Sequence, residues 1–379
     1  MTMNLTEESF NMFNDSGLEV DSSTSEDEPD FEVVWTDRDK TINIIYLIVC
    51  ILLTVTGTIG NALVIGAVLI HRKLHVLSNV FIVNLAVTDL IVSTGINSFY
   101  IIGIVTDGDW FVWPSGIDTG LCRFTAALCI VTCACSIWTM LAISINRYIC
   151  ICHHNLYLDL FKKSYMPFYV LAVWVISFLL DLPVVAGWGK HGYNPRSLHC
   201  ALDYKAGYDY RLFLLFVGFG LPLNGLLLCY TKIFLYARAT QKNLKKYQED
   251  GPCKTGIKTT DMRLLRSILI IVVMFVLLWA PYALILLFDT ALTWPRSVLI
   301  LAVCMAHVSS SVNSIIYAAT NKNFREGYIH LIKVCVCYFK ICGNRDEKIV
   351  KGLMIASVDS TLQDKERRMI NGQEPATNV

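Results

Sequence analysis

Seven long runs of apolar residues alternate with short polar connectors along this chain. The runs are Ile42–Ile70, Asn79–Val105, Thr119–Cys152, Tyr165–Trp188, Tyr210–Ala237, Leu264–Leu287 and Arg296–Ala319. Each run is long enough to cross the hydrocarbon core of a bilayer, which needs about 20 predominantly apolar residues. Since backbone polar groups cannot stay unpaired in lipid, each run is predicted to be a helix. The pattern therefore predicts an all-α membrane protein with seven spans.

The distribution of charge predicts how these spans are oriented. Twelve acidic residues and a single basic residue, Arg38, precede Lys40. The connectors after the first, third and fifth runs are basic instead: His71–Lys73, Lys162–Lys163 and Lys242–Arg266. Short basic connectors remain in the cytoplasm, so the amino terminus is predicted to lie outside the plasma membrane and the carboxyl terminus inside. Two glycosylation sequons, at Asn4 and Asn14, agree with this orientation.

Four parts of the chain are expected. Residues 1–41 are predicted to be a disordered acidic N-terminus, because their composition cannot form an apolar core. They also lack the basic and apolar regions of a signal peptide, so the first run is expected to act both as the targeting signal and as a membrane anchor. Residues 42–320 hold the seven spans, residues 321–343 a juxtamembrane helix, and residues 344–379 a disordered cytoplasmic tail.

Composition and motifs argue against several functional classes. The chain is 54% hydrophobic and 17% charged, whereas about a quarter of a soluble domain is charged. No phosphate loop or zinc-ligand spacing is found, and the adjacent His153 and His154 would face apart on a helix, so neither an enzyme nor a nucleic-acid partner is expected. A transporter or channel stays the alternative class. It would show internal repeats or several charges at mid-depth, whereas no repeat is found and only Asp89 and Asp181 are expected to be buried.

Polar residues occur at similar depth in several of the runs. They are Asn61, Asp89, Ser136, Ser309 and Asn313. An ionised carboxylate inside a span is costly and by default marks a functional interior site. Carboxylate, amide and hydroxyl oxygens suit a hard cation, so Asp89, Ser136, Ser309 and Asn313 are predicted to form a sodium site. A hydrogen-bonded plug between helices is the open alternative.

The cysteines fall into distinct groups. In the predicted orientation only Cys122 and Cys200 lie clearly on the oxidising side, and they are expected to form a disulfide rather than two free thiols. Cys335, Cys337 and Cys342 follow the last run among basic and aromatic residues. That setting favours palmitoylation, although unmodified cytosolic thiols fit it equally well.

The sixth run carries a predicted hinge. Pro281 interrupts it, and a proline inside a helix removes one backbone hydrogen bond and bends the chain. Phe275 and Trp279 precede the bend, so the outer half is expected to sense a ligand while the inner half swings. A purely structural kink with aromatic packing is the alternative. Pro222 predicts a second bend in the fifth run, with Tyr230 two turns further inward.

A second predicted switch lies at the inner end of the third run, in Asn146-Arg147-Tyr148. Asp261, at the start of the sixth run, has the opposite charge at a similar depth. A partly exposed pair between Arg147 and Asp261 contributes on the order of 1 kcal/mol, which biases a two-state equilibrium about fivefold. Snorkelling of the arginine towards water is the alternative.

Taken in order, these motifs resemble those of the rhodopsin-like (class A) G-protein-coupled receptors. They are Gly60-Asn61, Leu85-Ala86 with Asp89, Cys122, Asn146-Arg147-Tyr148, Trp174, Cys200, Pro222, Tyr230, Phe275 with Trp279 and Pro281, and Asn313 with Tyr317. The resemblance covers Thr41 to Tyr338. It implies a seven-transmembrane helix bundle with a short amphipathic eighth helix, beginning near Asn323.

The resemblance also implies roles for individual residues. Arg147 would release the sixth helix and meet a heterotrimeric G protein, with Tyr230 and Tyr317 moving inward to support it. Trp279 would be the switch at the pocket floor, and Asp89, Ser136 and Asn313 would hold the sodium ion. No other cofactor is implied. Arrestin and a receptor kinase would act on the tail, which carries Ser357, Ser360 and Thr361.

Within this class the cytoplasmic motifs are similar to those of melatonin receptors and of the invertebrate trapped-in-endoderm and moody group. This resemblance implies coupling to an inhibitory-type G protein. Two positions depart from the class pattern: Asn146 replaces an aspartate, which implies some ligand-free activity, and Ser314 replaces a proline, which implies a straighter seventh helix. Val184 and Gly218 replace the Asn and His that contact melatonin, so a melatonin-type receptor is kept as the alternative to another, unidentified ligand.

Other predicted contacts lie at the two faces of the membrane. Cys129 stands where amine receptors carry an aspartate, which disfavours a biogenic amine. Cys129, Asp181, Arg211 and Asp289 are candidate ligand contacts, but the mixed signs of the three charged residues predict no ligand charge. On the inner side, the basic loop Thr240–Thr260 is expected to meet anionic membrane lipids. The terminal residues Thr377–Val379 suit strand addition to a PDZ domain.

Overall fold

The computed structural model describes residues 36–107, 117–203, 207–247, 259–289 and 293–336. Within these ranges the side chains of residues 117–119, 241–247 and 259–268 are not described. The sequons at Asn4 and Asn14, Cys337, Cys342, the tail hydroxyls and Thr377–Val379 therefore lie outside the described residues. The same holds for the side chain of Asp261.

Seven helices of the described chain are long and apolar enough to cross a membrane. These spans are Asp37–Ile70, Asn79–Val105, Gly120–Cys152, Met166–Val185, Tyr208–Thr240, Leu269–Phe288 and Arg296–Thr320. Three helices extend beyond their spans, over Ile117–Cys152, Leu221–Tyr247 and Thr259–Phe288. The predicted seven-span fold is confirmed.

The first helix begins at Asp37, before the predicted Ile42. The Thr36 hydroxyl accepts a hydrogen bond from the Asp39 backbone N–H at 3.3 Å, and Asp37 and Asp39 lie in the first turn. A side-chain cap and acidic residues both stabilise a helix N-terminus. Polar residues therefore start this helix ahead of the apolar run.

Shorter elements connect the spans. A 3₁₀ turn at Arg72–Leu74 follows the first span, and a helix at His154–Leu160 follows the third. Strands β1 (His191–Asn194) and β2 (His199–Leu202) form an antiparallel hairpin after the fourth, with Tyr193 opposite Cys200. A helix over residues 322–336 follows the seventh. The chain divides into two units at Gly327 and Tyr328, within this last helix.

The second, third and seventh spans form the buried centre of the bundle, and the other four lie at its periphery. Apolar side chains such as Ile48, Phe178 and Leu228 face outward and are exposed. Polar side chains face inward instead, including Asn61, Asp89 and Asn313. This arrangement suits a lipid solvent, in which exposed apolar side chains have no cost and buried polar groups need partners.

The second and fifth spans each contain a widened, π-helical stretch, at Val92–Ile96 and Leu214–Gly220. Pro222 follows the second of these stretches, and Pro281 lies inside the sixth span. The seventh span is one continuous helix in which the Ser314 hydroxyl donates to the Ser311 carbonyl at 3.0 Å. Irregular turns inside helices often occur at functional sites, and the Leu214–Gly220 stretch borders the cavity described below.

Glycines bring the first span close to its neighbours. A Cβ atom at Gly57 would lie 2.1 Å from Ser93 Oγ and 2.9 Å from Ser311 Oγ. A Cβ at Gly60 would lie 2.2 Å from Ser314 Oγ. Small residues of this kind allow close packing of membrane helices.

We expect Gly57→Ala to destabilise the bundle by about 1–3 kcal/mol, because the added methyl group overpacks a tight interface. The measurement is the melting temperature of the purified protein in detergent. Gly95→Ala is the matched control, since a Cβ at Gly95 meets nothing within 4 Å. Equal melting temperatures for the two variants would contradict the packing argument.

Candidate functional site

A cavity of about 440 Å³ lies within the bundle, near the end at which Cys122 and Cys200 form a disulfide with a sulfur–sulfur distance of 2.04 Å. We call this end the disulfide end and the opposite one, where Arg147 lies, the arginine end. The cavity is bordered by the second, third, fifth, sixth and seventh spans and by β2. Its lining contains no Asp, Glu, Lys or Arg among the residues that the structure describes. It therefore suits a neutral, largely apolar molecule.

Of the four predicted ligand contacts, Cys129 lines this cavity and the other three do not. Asp181 is buried with Oδ1 at 3.0 Å from His191 Nε2 on β1. Arg211 is buried, with its guanidinium 5.1 Å from the centroid of the Tyr208 ring. Asp289 caps the end of the sixth span, where it accepts a 2.7 Å hydrogen bond from the Thr293 backbone N–H. Depth in a span does not specify which way a side chain faces, so the sequence could not place these three side chains relative to the cavity.

The polar wall of the cavity was missed by the sequence reasoning. The Tyr100 ring stacks on His199 at 4.0 Å and lies 4.9 Å from His307. His307 Nδ1–H donates to Asn97 Oδ1 at 2.6 Å, and His199 Nδ1 lies 3.0 Å from the Ser197 carbonyl oxygen. Burial lowers the pKa of His199 to about 3, so its imidazole is neutral at physiological pH. The sequence offered one signal for this wall, the polar composition of the seventh run. That signal could indicate His307 but not Tyr100 or His199.

Polar contacts close the disulfide end above the cavity. Arg296 Nε donates to the Arg196 carbonyl at 2.7 Å, and the Arg296 guanidinium lies 3.4 Å from Asp39 Oδ1 and also donates to Asn43 Oδ1. Arg196 in turn donates to the Trp294 carbonyl. These contacts, together with the disulfide, tie the β-hairpin to the first, third and seventh spans. We refer to the Arg196, Arg296, Asp39 and Asn43 contacts as the clasp.

The cavity floor is formed by aromatic side chains. Trp279 lies 5.7 Å from Phe275 and 5.1 Å from Phe219, measured between ring centroids. Its Nε1–H donates to Ser309 Oγ at 3.2 Å, which joins the sixth span to the seventh. The structure therefore places Phe275 beside Trp279 at the cavity, and it bonds Ser309, which was predicted for the sodium site, to Trp279.

A polar layer occupies the middle of the bundle. Asn313 Nδ2 donates to the buried carboxylate of Asp89 at 2.8 Å. Ser136 Oγ lies 3.0 Å from Thr88 Oγ1, and Asn61 Nδ2 donates to the Ser310 carbonyl at 2.9 Å. These contacts join the first, second, third and seventh spans and place Asn61, Asp89, Ser136 and Asn313 in one layer. Ser309, the fifth predicted polar residue, bonds Trp279 instead.

At the arginine end, Arg147 is buried and its Nη2 donates to Ser78 Oγ at the start of the second span. Asn146 is fully buried beside it, while the Tyr148 hydroxyl lies 3.0 Å from His153 Nε2. Arg147 thus has a described partner, Ser78, that the sequence did not suggest. The predicted partner Asp261 lies on the sixth helix, but its side chain is outside the described residues.

Two tyrosines support this end. Tyr317 is buried and stacks on Phe324, with 5.0 Å between ring centroids. The Tyr230 hydroxyl is buried near Ser144 and within electrostatic reach of Arg147. Glu326 accepts a hydrogen bond from Lys73 Nζ at 2.9 Å, and this bond lowers the pKa of the Glu326 carboxyl.

Comparison with known proteins identifies the family to which a chain with this cavity and polar layer belongs. The family profile described as "7 transmembrane receptor (rhodopsin family)" matches residues 60–317, more than half of the chain. The chain belongs to this family. The matched segment runs from Gly60 to Tyr317 and includes the cavity floor, the polar layer and Arg147. Family membership confirms the predicted class A receptor and shows that the protein is a receptor and not an enzyme.

Individual relatives agree with this assignment. Melatonin receptor type 1B of Mus musculus is 28% identical to this receptor over 290 residues, 75% of this chain and 76% of that one. Melatonin receptor type 1A of Ovis aries is 29% identical over 293 residues, 76% of each chain. Squid rhodopsin superposes with a TM-score of 0.66 at 23% identity, covering 84% of this chain and 92% of that one, which shows the fold alone.

These results confirm the predicted resemblance to melatonin receptors. The receptor is a multi-pass protein of the plasma membrane, with an extracellular ligand and a G protein as the partners that its family implies. The resemblance to the trapped-in-endoderm and moody group stays a prediction.

Proposed function

We propose that this receptor binds an extracellular ligand in the cavity and activates a heterotrimeric G protein of the inhibitory type. The observation that supports this most is the position of Trp279. Its ring lines the cavity, and its Nε1–H bonds Ser309 on the seventh span, four residues before Asn313, which bonds Asp89. A ligand that displaces Trp279 would therefore disturb contacts leading from the cavity to the polar layer.

In the proposed mechanism the ligand favours a state in which the sixth helix has swung outward at the arginine end. Pro281 supplies the bend at which the two halves move differently. Arg147 would leave Ser78 and meet the G protein, while Tyr317 would leave Phe324 and join Tyr230 near the arginine. A ligand shifts this equilibrium only by the difference between its affinities for the two states.

The proposed orientation places the disulfide end outside the cell, since disulfides persist in oxidising compartments. The arginine end and the C-terminal tail then face the cytoplasm. There we propose arrestin and a receptor kinase as partners, a PDZ protein at Thr377–Val379, anionic lipids at the basic loop, and palmitoylation at Cys335 and its neighbouring cysteines.

We also propose that the polar layer holds an allosteric sodium ion. The residues fit this ion, because Asp89 supplies a buried carboxylate whose hydrogen-bond partners Asn313 and Ser310 are both neutral. Ser136 and Ser309 supply further hydroxyl oxygens in the bundle. Bound sodium would supply a positive charge to Asp89. The Asp89–Asn313 bond equally fits the interhelical plug considered above.

A melatonin-type ligand is the second candidate. The similarity to melatonin receptors and the charge-free cavity both favour a small neutral ligand. Val184 and Gly218 argue against melatonin itself, because neither lines the cavity and neither offers a polar side chain.

An Ala283→Trp variant tests the assignment of the cavity. Ala283 lines it from the sixth span, so a tryptophan there should fill it and weaken any activating ligand by at least about tenfold. The measurement is G-protein activation in cells across ligand classes at equal surface expression. Leu277→Trp is the control, since Leu277 is exposed on the same helix away from the cavity. An activator that keeps its potency on Ala283→Trp would refute this binding site.

A further inference from the structure

We infer that the ligand reaches the cavity from within the bilayer, through an opening between the fifth and sixth spans. It follows that the ligand is a neutral, lipid-soluble molecule with one hydrogen-bonding group. This inference rests on the cavity being the ligand site, as proposed above, and it names both the ligand class and the entry route.

The first observation is that two cavity-lining side chains also face the outer surface of the bundle. Phe216 on the fifth span is 62% exposed and Leu284 on the sixth span is 47% exposed, yet both line the cavity. A side chain that borders both an interior cavity and the lipid-facing surface marks the edge of an opening between them. We call this opening the portal.

Contacts above and below frame the portal. Towards the disulfide end, the Tyr208 hydroxyl of the fifth span donates to the Leu287 carbonyl of the sixth at 3.3 Å. Towards the middle of the bundle, the rings of Phe219 and Trp279 lie 5.1 Å apart. Phe216 lies between Tyr208 and Phe219, and Leu284 lies between Leu287 and Trp279. The two spans therefore touch on either side of the portal.

The local backbone explains why a gap occurs here. Leu214–Gly220 is the π-helical stretch of the fifth span, and it contributes Leu214, Leu215, Phe216, Phe219 and Gly220 to the lining. A π-helical turn widens a helix and breaks the regular ridges that neighbouring helices pack against. Close packing of the fifth span on the sixth is lost at this depth.

The direct route from water is obstructed instead. His199, Ala201 and Leu202 of β2 line the cavity at its disulfide end, so the hairpin lies across that side. The Cys122–Cys200 disulfide ties β2 to the third span, and the clasp ties the same loop to the first and seventh. A molecule entering from this side would have to displace charged and hydrogen-bonded groups.

The chemistry of the lining matches a bilayer-dissolved molecule. Charged groups partition poorly into the hydrocarbon core, so a ligand arriving through the portal must be neutral. Phe216 and Leu284 present only apolar surface at the entrance. The polar wall of Tyr100, His199 and His307 then offers hydrogen-bond donors and acceptors to a single polar group, as pockets of this kind commonly do.

Cys129 provides a native probe, because its thiol lines the cavity. We would place the intact receptor in lipid nanodiscs and compare two thiol reagents: a lipid-soluble pyrenyl maleimide and a cationic trimethylammonium methanethiosulfonate. Fragmentation mass spectrometry measures the rate of modification at Cys129, and receptor denatured in detergent shows that both reagents can react there. With each rate divided by that reagent's rate at Cys129 in the denatured receptor, we expect the lipid-soluble reagent to react at least about tenfold faster, because the charged one is excluded from the bilayer.

Paired variants test the portal itself. Phe216→Trp with Leu284→Trp should slow the pyrenyl reagent by at least about fivefold, because larger rings fill the gap, whereas Phe216→Ala with Leu284→Ala should accelerate it. The matched control is Leu228→Trp with Leu277→Trp, two exposed positions on the same helices that do not line the cavity. The control should leave the rate unchanged.

Three results would overturn the inference: equal rates for the two reagents, no modification of Cys129 by the lipid-soluble one, or no response to either portal pair. None of these readouts needs an agonist or a G protein. Wild-type labelling in a receptor that never activates a G protein would instead refute the proposed function and leave the entry route standing.

Discussion

An Arg147→Ala receptor should reach the cell surface at normal density and yet activate G protein far more weakly than the wild type. Arg147 is the buried cation of the arginine end, and its described contact is a charge-assisted hydrogen bond to Ser78. In the proposed active state the same guanidinium would bond the G protein. Hydrogen bonds to charged groups contribute about 1.5–3 kcal/mol, so losing one should reduce coupling by roughly 10- to 150-fold.

The measurement is basal and ligand-stimulated G-protein activation, normalised to surface expression. Two controls separate charge from structure. Ser78→Ala removes the described acceptor but keeps the guanidinium, so it should preserve signalling. Arg72→Ala removes an exposed arginine near the same end and should have little effect. Equal activation by wild type and Arg147→Ala would exclude the proposed coupling mechanism.

Cys122→Ser should sharply reduce the amount of receptor at the cell surface. The disulfide closes a loop of 78 residues and fixes β2 over the cavity. Removing a native disulfide costs about 2–5 kcal/mol, and even 1–2 kcal/mol changes cellular abundance severalfold. We therefore expect at least a severalfold loss of surface receptor, measured by antibody binding to an N-terminal tag on intact cells.

The double variant Cys122→Ser with Cys200→Ser should be no worse than either single variant, because the two cysteines contribute one shared interaction. Cys229→Ser is the control, since Cys229 is a half-buried free thiol of the fifth span. Normal display of Cys122→Ser would show that the disulfide is dispensable for folding.

Much of the fold was predictable from the sequence, because a membrane allows few backbone conformations. Every backbone polar group in lipid must be paired internally, so a long apolar run implies a helix. Seven runs predicted seven spans, and the observed ends differ from the predicted ones mainly where polar residues extend a helix, as Thr36 and Asp37 do. The polar layer was predictable for the same reason, since a buried carboxylate such as Asp89 must find partners.

The lining of the cavity was less predictable from the sequence. Asp181, Arg211 and Asp289 were plausible contacts by depth, yet each is held by residues near the disulfide end and away from the cavity. Conversely, Tyr100, His199 and His307 come from three separate segments of the chain, and no local pattern marks them as neighbours.

The amino-acid sequence alone determined the number of spans, the residues of the polar layer, the two cysteines of the disulfide and the family, because each follows from local hydrophobicity or short motifs. Only the tertiary structure decided that Arg147 bonds Ser78, that the described lining of the cavity is free of charged side chains, and that Phe216 and Leu284 are exposed and also line the cavity. These features depend on which sides of distant helices meet. The rotation and packing of the helices determine which of their sides meet, and the hydrophobicity of a single run does not encode this rotation or packing.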